Sequence, residues 1–387
     1  MKLLKHSIKA RIFWVLASCA ALLISTPMPG TYAQKSGEEI SITRWEHTDD
    51  GLRRRFEIRG KAEFTDDYTD IKSVTEGGWV IIEETRDSQS YRYEVRRSPA
   101  GEITRAFYEN GTARALDAAA KSWLAKFVLD AVRQGGFDAE KRVQTILARD
   151  GVAGVLAEIK QISGDYAKRR YYQELIKQAN LNASVLSDIL RQVARDISSD
   201  YEQSQLLIAV APSLTGKEGA VQPFFDAVGT IKSDYERSRV LNTLLKQGTP
   251  SRAVLVLVAS STKSISSDYE KAGVLKKVAA VYLDDPTLRD IFFQTVASID
   301  SDYERRGVLT ALVKTGKQSE EVLRLLLDSA ATISSDYEKA TFLIEVSNVY
   351  TGDTRLKSAF LKAVETIKSD YERGRVLSAL LKNKQIG

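Results

Sequence analysis

"ISSDYE" stands at residues 197–202 and returns, with one or two changes, as "IKSDYE" at 231–236, "ISSDYE" at 265–270, "IDSDYE" at 299–304, "ISSDYE" at 333–338 and "IKSDYE" at 367–372. A weaker copy, "ISGDYAKRR", lies at 162–170. The aspartate of the motif therefore falls at Asp165, Asp200, Asp234, Asp268, Asp302, Asp336 and Asp370, with a first gap of 35 residues and five gaps of 34. A fixed period of this length is the mark of stacked helical hairpins, each burying its apolar face against its neighbours.

Ser-Asp-Tyr-Glu has the Ser-x-x-Glu spacing of a capping box. The repeat signature comprises Ser199, Asp200, Tyr201 and Glu202; Ser233, Asp234, Tyr235 and Glu236; Ser267, Asp268, Tyr269 and Glu270; Ser301, Asp302, Tyr303 and Glu304; Ser335, Asp336, Tyr337 and Glu338; and Ser369, Asp370, Tyr371 and Glu372. In each set the serine oxygen is expected to accept from the glutamate amide, and the glutamate to reach back to the serine amide. The aspartate then occupies the first helical position, where its charge meets the positive end of the helix dipole. In "SDYERSRVLNTLLKQ", Val240, Leu241, Leu244 and Leu245 form the apolar stripe of the first helix. "SRAVLVLVASSTKSI", ending at Ile265, is the second helix of that unit. These residues have a structural role in this reading, with the tyrosines packing hairpin on hairpin and the charges pairing between units at the rim. A repeating ligand surface is the alternative. "ISSDYE" units alternate with "I(K/D)SDYER" units, which gives a longer period of 68 residues, two hairpins.

Upstream the pattern is different. Residues 38–112 alternate apolar and polar, as in "RRFEIRGKAEF", "WVIIEE" and "YRYEV", and Asn110-Gly111 is a strong hairpin signal. About six antiparallel strands are expected. Trp45, Trp79 and several tyrosines would fill the core, with a ligand-stacking aromatic patch as the alternative. Asp66, Asp67 and Asp70 lack the spacing and glycine of a calcium loop and read as a solvated turn. Helical spacing begins at Asp117, a suitable N-cap, with Gly135-Gly136 as a stop, and two short helices follow around Gly151. The expected organisation is a signal peptide at 1–33, a small β domain at 38–112, connecting or capping helices at 113–162, and about seven 34-residue repeats at 163–387. The fold class is α+β by segregated regions, a small antiparallel meander followed by a right-handed α-solenoid.

The first 33 residues set an expected compartment. Lys2 to Arg11 form a charged start, "IFWVLASCAALLI" at 12–24 is short for a membrane span, and Thr31-Tyr32-Ala33 is a cleavage match. Export to the periplasm or beyond follows as an expectation. A lipoprotein box, "LASC" at 16–19, which would lipidate Cys19, and an uncleaved anchor are the alternatives, and only these would bring the membrane in as a partner. Cys19 is the only cysteine, and His6 and His47 are the only histidines. That excludes a His/Cys zinc cluster and Cys–His chemistry, and no Gly-x-Ser-x-Gly stretch is present. No catalytic residue, metal ligand or cofactor site is therefore expected. The formal charge is +5, but residues 1–34 contribute Lys2, Lys5, Lys9 and Arg11 without an acid, so the remainder stands at +1 and offers no overall field for nucleic acid.

The array resembles α-solenoid repeat proteins. Its unit has the length of a tetratricopeptide repeat, but the Trp, Leu-Gly and closing Pro positions of that repeat are missing here. Aspartate at the helix start, followed by basic residues and Val-Leu, looks more like HEAT-type helices. The β region, "WLAKFVLDAVRQGGFDAEKRV" at 123–143 and the Ser-Asp-Tyr-Glu units together resemble extracytoplasmic regions found with antirepressor-type membrane metallopeptidases of bacteria. The peptidase motif is missing, so the resemblance carries no catalytic role. The function expected is a non-enzymatic extracytoplasmic scaffold whose repeats offer a groove to a protein or peptide of the cell envelope. The alternative is a sensor whose β domain binds an envelope ligand while the solenoid acts as a spacer.

Overall fold

The structure is a computed structural model and describes residues 31–32 and 41–384, apart from 248–249, 282–284, 317 and 350–353. The expectations for Lys2 to Arg11, Cys19 and the cleavage match fall outside the described residues, apart from Thr31 and Tyr32. The chain divides into two units after Ala125.

In the first unit, positive-φ residues at Asp50-Gly51 and Asn110-Gly111 turn the chain between strands, as the Asn-Gly signal requires. The strands are β1 (Thr31–Tyr32), β2 (Ile42–Asp49), β3 (Leu52–Arg59), β4 (Ala62–Phe64), β5 (Ile71–Val74), β6 (Trp79–Arg86), β7 (Gln89–Arg97), β8 (Ile103–Glu109) and β9 (Thr112–Arg114). Seven form one antiparallel sheet in the order β1-β2-β3-β6-β7-β8-β9, and β4-β5 pair separately. Period-two patterning sends Trp45, Phe56, Ile82, Tyr93 and Phe107 to one buried face. Phe64, Tyr68, Ile71 and Val74 of the β4-β5 excursion are buried with them, Phe56 stacks on Phe64 at 6.2 Å, and the Tyr93 hydroxyl donates to Asp70 at 2.9 Å. Trp45 is thus core, stacked on His47 at 6.0 Å, rather than part of an exposed aromatic patch. Asp67 accepts from the Thr69 amide and hydroxyl, which fixes the acidic turn internally.

The helices are α1 (Ala118–Gly135), α2 (Ala139–Ile159), α3 (Asp165–Gln178), α4 (Ala183–Asp196), α5 (Asp200–Val210), α6 (Val221–Thr230), α7 (Asp234–Lys246), α8 (Arg252–Lys263), α9 (Asp268–Ala280), α10 (Pro286–Ala297), α11 (Asp302–Val313), α12 (Glu320–Ala331), α13 (Asp336–Ser347), α14 (Thr354–Glu365) and α15 (Asp370–Lys384). Asp117 accepts from the Ala120 amide at 2.9 Å, and α2 is broken at Gly151, whose φ of 65° is non-helical. Each motif-bearing helix from α3 to α15 packs on the next one two elements on, and the intervening helices α4 to α14 do the same among themselves. The second unit is therefore a two-layered helical-repeat array with one continuous core. The isoleucine that opens each motif (Ile197, Ile231, Ile265, Ile299, Ile333, Ile367) is buried at the crossing between layers.

Candidate functional site

The six motif residues separate into inward and outward roles, and the separation locates the surface left free to bind. Serine caps as expected, since each of the six accepts from the amide of its glutamate, but the bonds are long at 3.3–3.4 Å. Glutamate does not close the box. The serine amide is already taken by the aspartate one unit back: Asp165 accepts from Ser199, Asp200 from Ser233, Asp234 from Ser267, Asp268 from Ser301, Asp302 from Ser335 and Asp336 from Ser369, all at 2.7–2.8 Å. The same carboxylates also accept from the amide just before each serine, at 2.9–3.1 Å. Two short charge-assisted bonds to a helix start outweigh a long hydroxyl cap, so the aspartate is the main joint between units. The amides of Ser369 and Lys368 hold the Asp336 carboxyl below the usual range.

With its backbone partner occupied, glutamate turns to the preceding helix of its layer. Glu202 pairs with Arg169 at 2.5 Å, Glu304 with Lys276 at 2.7 Å, and Glu338 with Arg306. Glu236 and Glu270 instead accept from Ser204 and Ser238. The basic residue three after each aspartate is also not a rim ion pair. Arg237, Lys271, Arg305 and Lys339 donate to the end of the second helix of their own hairpin, at the carbonyls of Ser264, Ser298, Thr332 and Thr366. These are the carbonyl ends that a helix leaves unsatisfied, and a cation suits them. Gln203 makes the equivalent contact with Ala227 and Thr230, so the exception in charge is no exception in position. Arg237 and Arg305 reach their own isoleucine carbonyl as well, which the lysines do not; the arginine fork accounts for one element of the 68-residue alternation.

The tyrosines do not pack hairpin on hairpin. Tyr201, Tyr235, Tyr269, Tyr303, Tyr337 and Tyr371 are between 51% and 75% exposed, and among the described residues the other large exposed apolar side chains are only Ile42, Leu377 and Leu381. At 100° per residue, Tyr235 lies roughly 150° from the centre of the Val240/Leu241/Leu244/Leu245 stripe, so it points away from the core. Arginines lie over several of the rings: Arg239 is 5.7 Å from the centroid of Tyr235, Arg306 5.3 Å from that of Tyr303, and Arg375, one unit on, 5.7 Å from that of Tyr337. Such contacts hold the rings in place while leaving apolar surface and a hydroxyl to solvent. The result is one aromatic side chain per unit at a constant place in successive helices of one layer.

A second candidate lies on the polar face of the sheet. Glu46, Arg55, Glu83, Arg92 and Tyr108 face one another across five strands. They border a depression of about 900 Å³ that also meets Arg53, Glu94 and Gly111. Arg55 pairs with Glu57 and Glu83, and Arg92 with Glu83 and Glu94, so the charges largely satisfy one another.

No protein-family model matches the chain, and no curated protein matches it either. A solved structure described as "Computational Design of Self-Assembling Cyclic Protein Homooligomers" is similar over 66% of this chain and 92% of its own, at 10% identity and a TM-score of 0.14. A likeness this slight carries no argument. The resemblance to extracytoplasmic regions of antirepressor-type systems rests on the residues quoted for it.

Proposed function

We propose that this protein is a non-enzymatic interaction scaffold acting outside the cytoplasm, and that it presents its row of tyrosines to a protein or peptide of the cell envelope. The supporting observation is the row itself. Aromatic side chains repeat in six units with most of their area in water, although none is needed there for packing. Tyrosine is a favoured anchor at binding surfaces because it offers a large apolar area and a hydroxyl with few rotatable bonds. A repeated surface binds a long partner through several weak contacts at once. The export pattern in residues 1–33 supports the compartment; the mass of the chain recovered from cells tests it, and retention of those residues in a soluble cytoplasmic chain would count against it.

The surface is tested with the triple variant Tyr235→Ser, Tyr269→Ser, Tyr303→Ser. The parent chain is expected to retain a defined envelope protein that the variant loses, with no change in thermal midpoint. Equal retention by both would remove the tyrosines from the reading. The sensor reading draws on the 900 Å³ depression of the sheet. Its self-paired charges favour a neutral, hydroxyl-rich ligand over an anion, which would have to displace Glu83 or Glu94. Thermal stabilisation by envelope glycans, lost in Arg92→Ala, would favour it; no shift across such a panel would end it.

A further inference from the structure

The two ends of the repeat array are finished differently. At the start, the place of the joint aspartate is taken by Gln134 of α1, whose side-chain oxygen accepts from the Ser163 amide at 2.9 Å and from its hydroxyl at 2.8 Å. α2 packs directly on α3. Repeat arrays are ordinarily closed at both ends by units with a polar outer face. Among the described residues, α15 has no such cover. Leu377 occupies the position of Leu207, Leu241, Leu275, Leu309 and Leu343, which are fully buried, yet it is 37% exposed. Leu381 stands where Ala211, Leu245, Ala279, Val313 and Ser347 are buried, and it is 62% exposed. The Asp370 carboxylate, whose six counterparts each receive two backbone amides, receives none and meets only Arg373, at 3.3 Å.

We infer that this face of α15 binds the same face of a second copy of the chain, in an antiparallel two-fold pair. Three observations favour that occupant. The capped start of the array leaves no complementary end for a head-to-tail contact, so the self-complementary arrangement is the one that closes. In an antiparallel pair centred between Leu377 and Ser378, Leu381 of one copy faces Gly374 of the other. An added Cβ at Gly374 would meet no atom within 4 Å, which leaves a hole for the leucine knob. The same register brings Asp370, at the helix start, within one turn of the exposed Lys382 near the helix end, so opposite charges meet at both ends of the contact. A single helix pair buries less area than a standard stable interface, so the association is weak and reversible.

The test is sedimentation of the full chain from about 1 µM to about 100 µM, a range suited to an interface of this size. The mean mass is expected to rise toward twice that of the chain. The variant Leu377→Lys, Leu381→Lys, altered only at exposed positions, is expected to stay monomeric, a loss of at least about tenfold in affinity from four like charges brought together. In a Cys19→Ser background, Ser378→Cys is expected to form a disulfide-linked dimer on mild oxidation, and adding Leu381→Lys to abolish it. A mass that stays constant over the range overturns the inference, as does a double variant that dimerises like its parent. Cross-linking through Asp370→Cys but not through Ser378→Cys overturns the antiparallel register.

Discussion

Replacing Asp268 by alanine removes both bonds of one joint, from the Asp300 amide at 3.0 Å and the Ser301 amide at 2.7 Å. Hydrogen bonds to a charged group contribute about 1.5–3 kcal/mol each, and loss of the charge at the helix start adds about 0.5 kcal/mol. Both amides lie near the surface and regain water, which brings the expected cost down to about 2–4 kcal/mol. The control is Asp370→Ala, which removes the same side chain at the same helix position from a site with no amide to receive. It is expected to leave stability unchanged within error. Urea unfolding gives the first comparison, with the slope compared between variants because repeat arrays lose cooperativity. Hydrogen exchange gives the local one: the amides of Asp300 and Ser301 are expected to lose protection in Asp268→Ala, while those of Ser233 and Ser267 keep theirs. Equal costs for the two alanine variants would refute the idea that the aspartate joins units and would leave it only a dipole partner.

Three further outcomes are expected. Ser233→Ala removes a cap bond of 3.3 Å and is expected to cost about 1 kcal/mol by urea unfolding, less than the aspartate joint. Tyr269→Ser removes a 72% exposed ring and is expected to change unfolding free energy by no more than about 0.5 kcal/mol, as for surface positions generally. Glu158 is held between Arg133 and Arg142 at 2.7 and 2.5 Å. Burial alone would raise its carboxyl, but the two guanidiniums outweigh that and hold it below its ordinary value. A depressed carboxyl stabilises the fold above its unfolded value of about 4.3 and loses that contribution as pH falls through the folded value. Glu158→Gln is therefore expected to cost about 3 kcal/mol at neutral pH and progressively less below about pH 4, measured by thermal unfolding across pH.

The period, the change from β to α patterning near Asp117 and the Asn110-Gly111 turn were legible because each is a local or regularly spaced signal. The destination of Glu202 was not. Ser-x-x-Glu describes a bond within one turn, whereas the competing aspartate arrives from 34 residues earlier, and nothing in six residues announces it. The tyrosines were legible in principle. Counting Tyr235 against Leu241 and Leu244 on a helical wheel sets it outward, but assigning aromatics to packing by residue type hides that. Arg237 and Gln203 show the same limit: their shared target is the end of the following helix, which depends on how the hairpin folds back. The polar face of the sheet was missed because alternation marks Phe56 and Ile58 as core and says nothing of how Arg55, Glu57 and Glu83 sort themselves on the other side.

The aspartate joint also bears on how such a chain lengthens. Each carboxylate holds the start of the unit that follows, so a unit carries forward the fitting its successor needs and asks for the same fitting from its predecessor. Copies of 34 residues are then interchangeable modules, and a duplication inserts cleanly wherever its reading frame begins. Insertions between the paired helices of a hairpin leave the joint intact, whereas a single residue gained between an isoleucine and its serine breaks it. Selection on such a gene acts on the number of whole modules, and with it the number of tyrosines, as one tunable quantity.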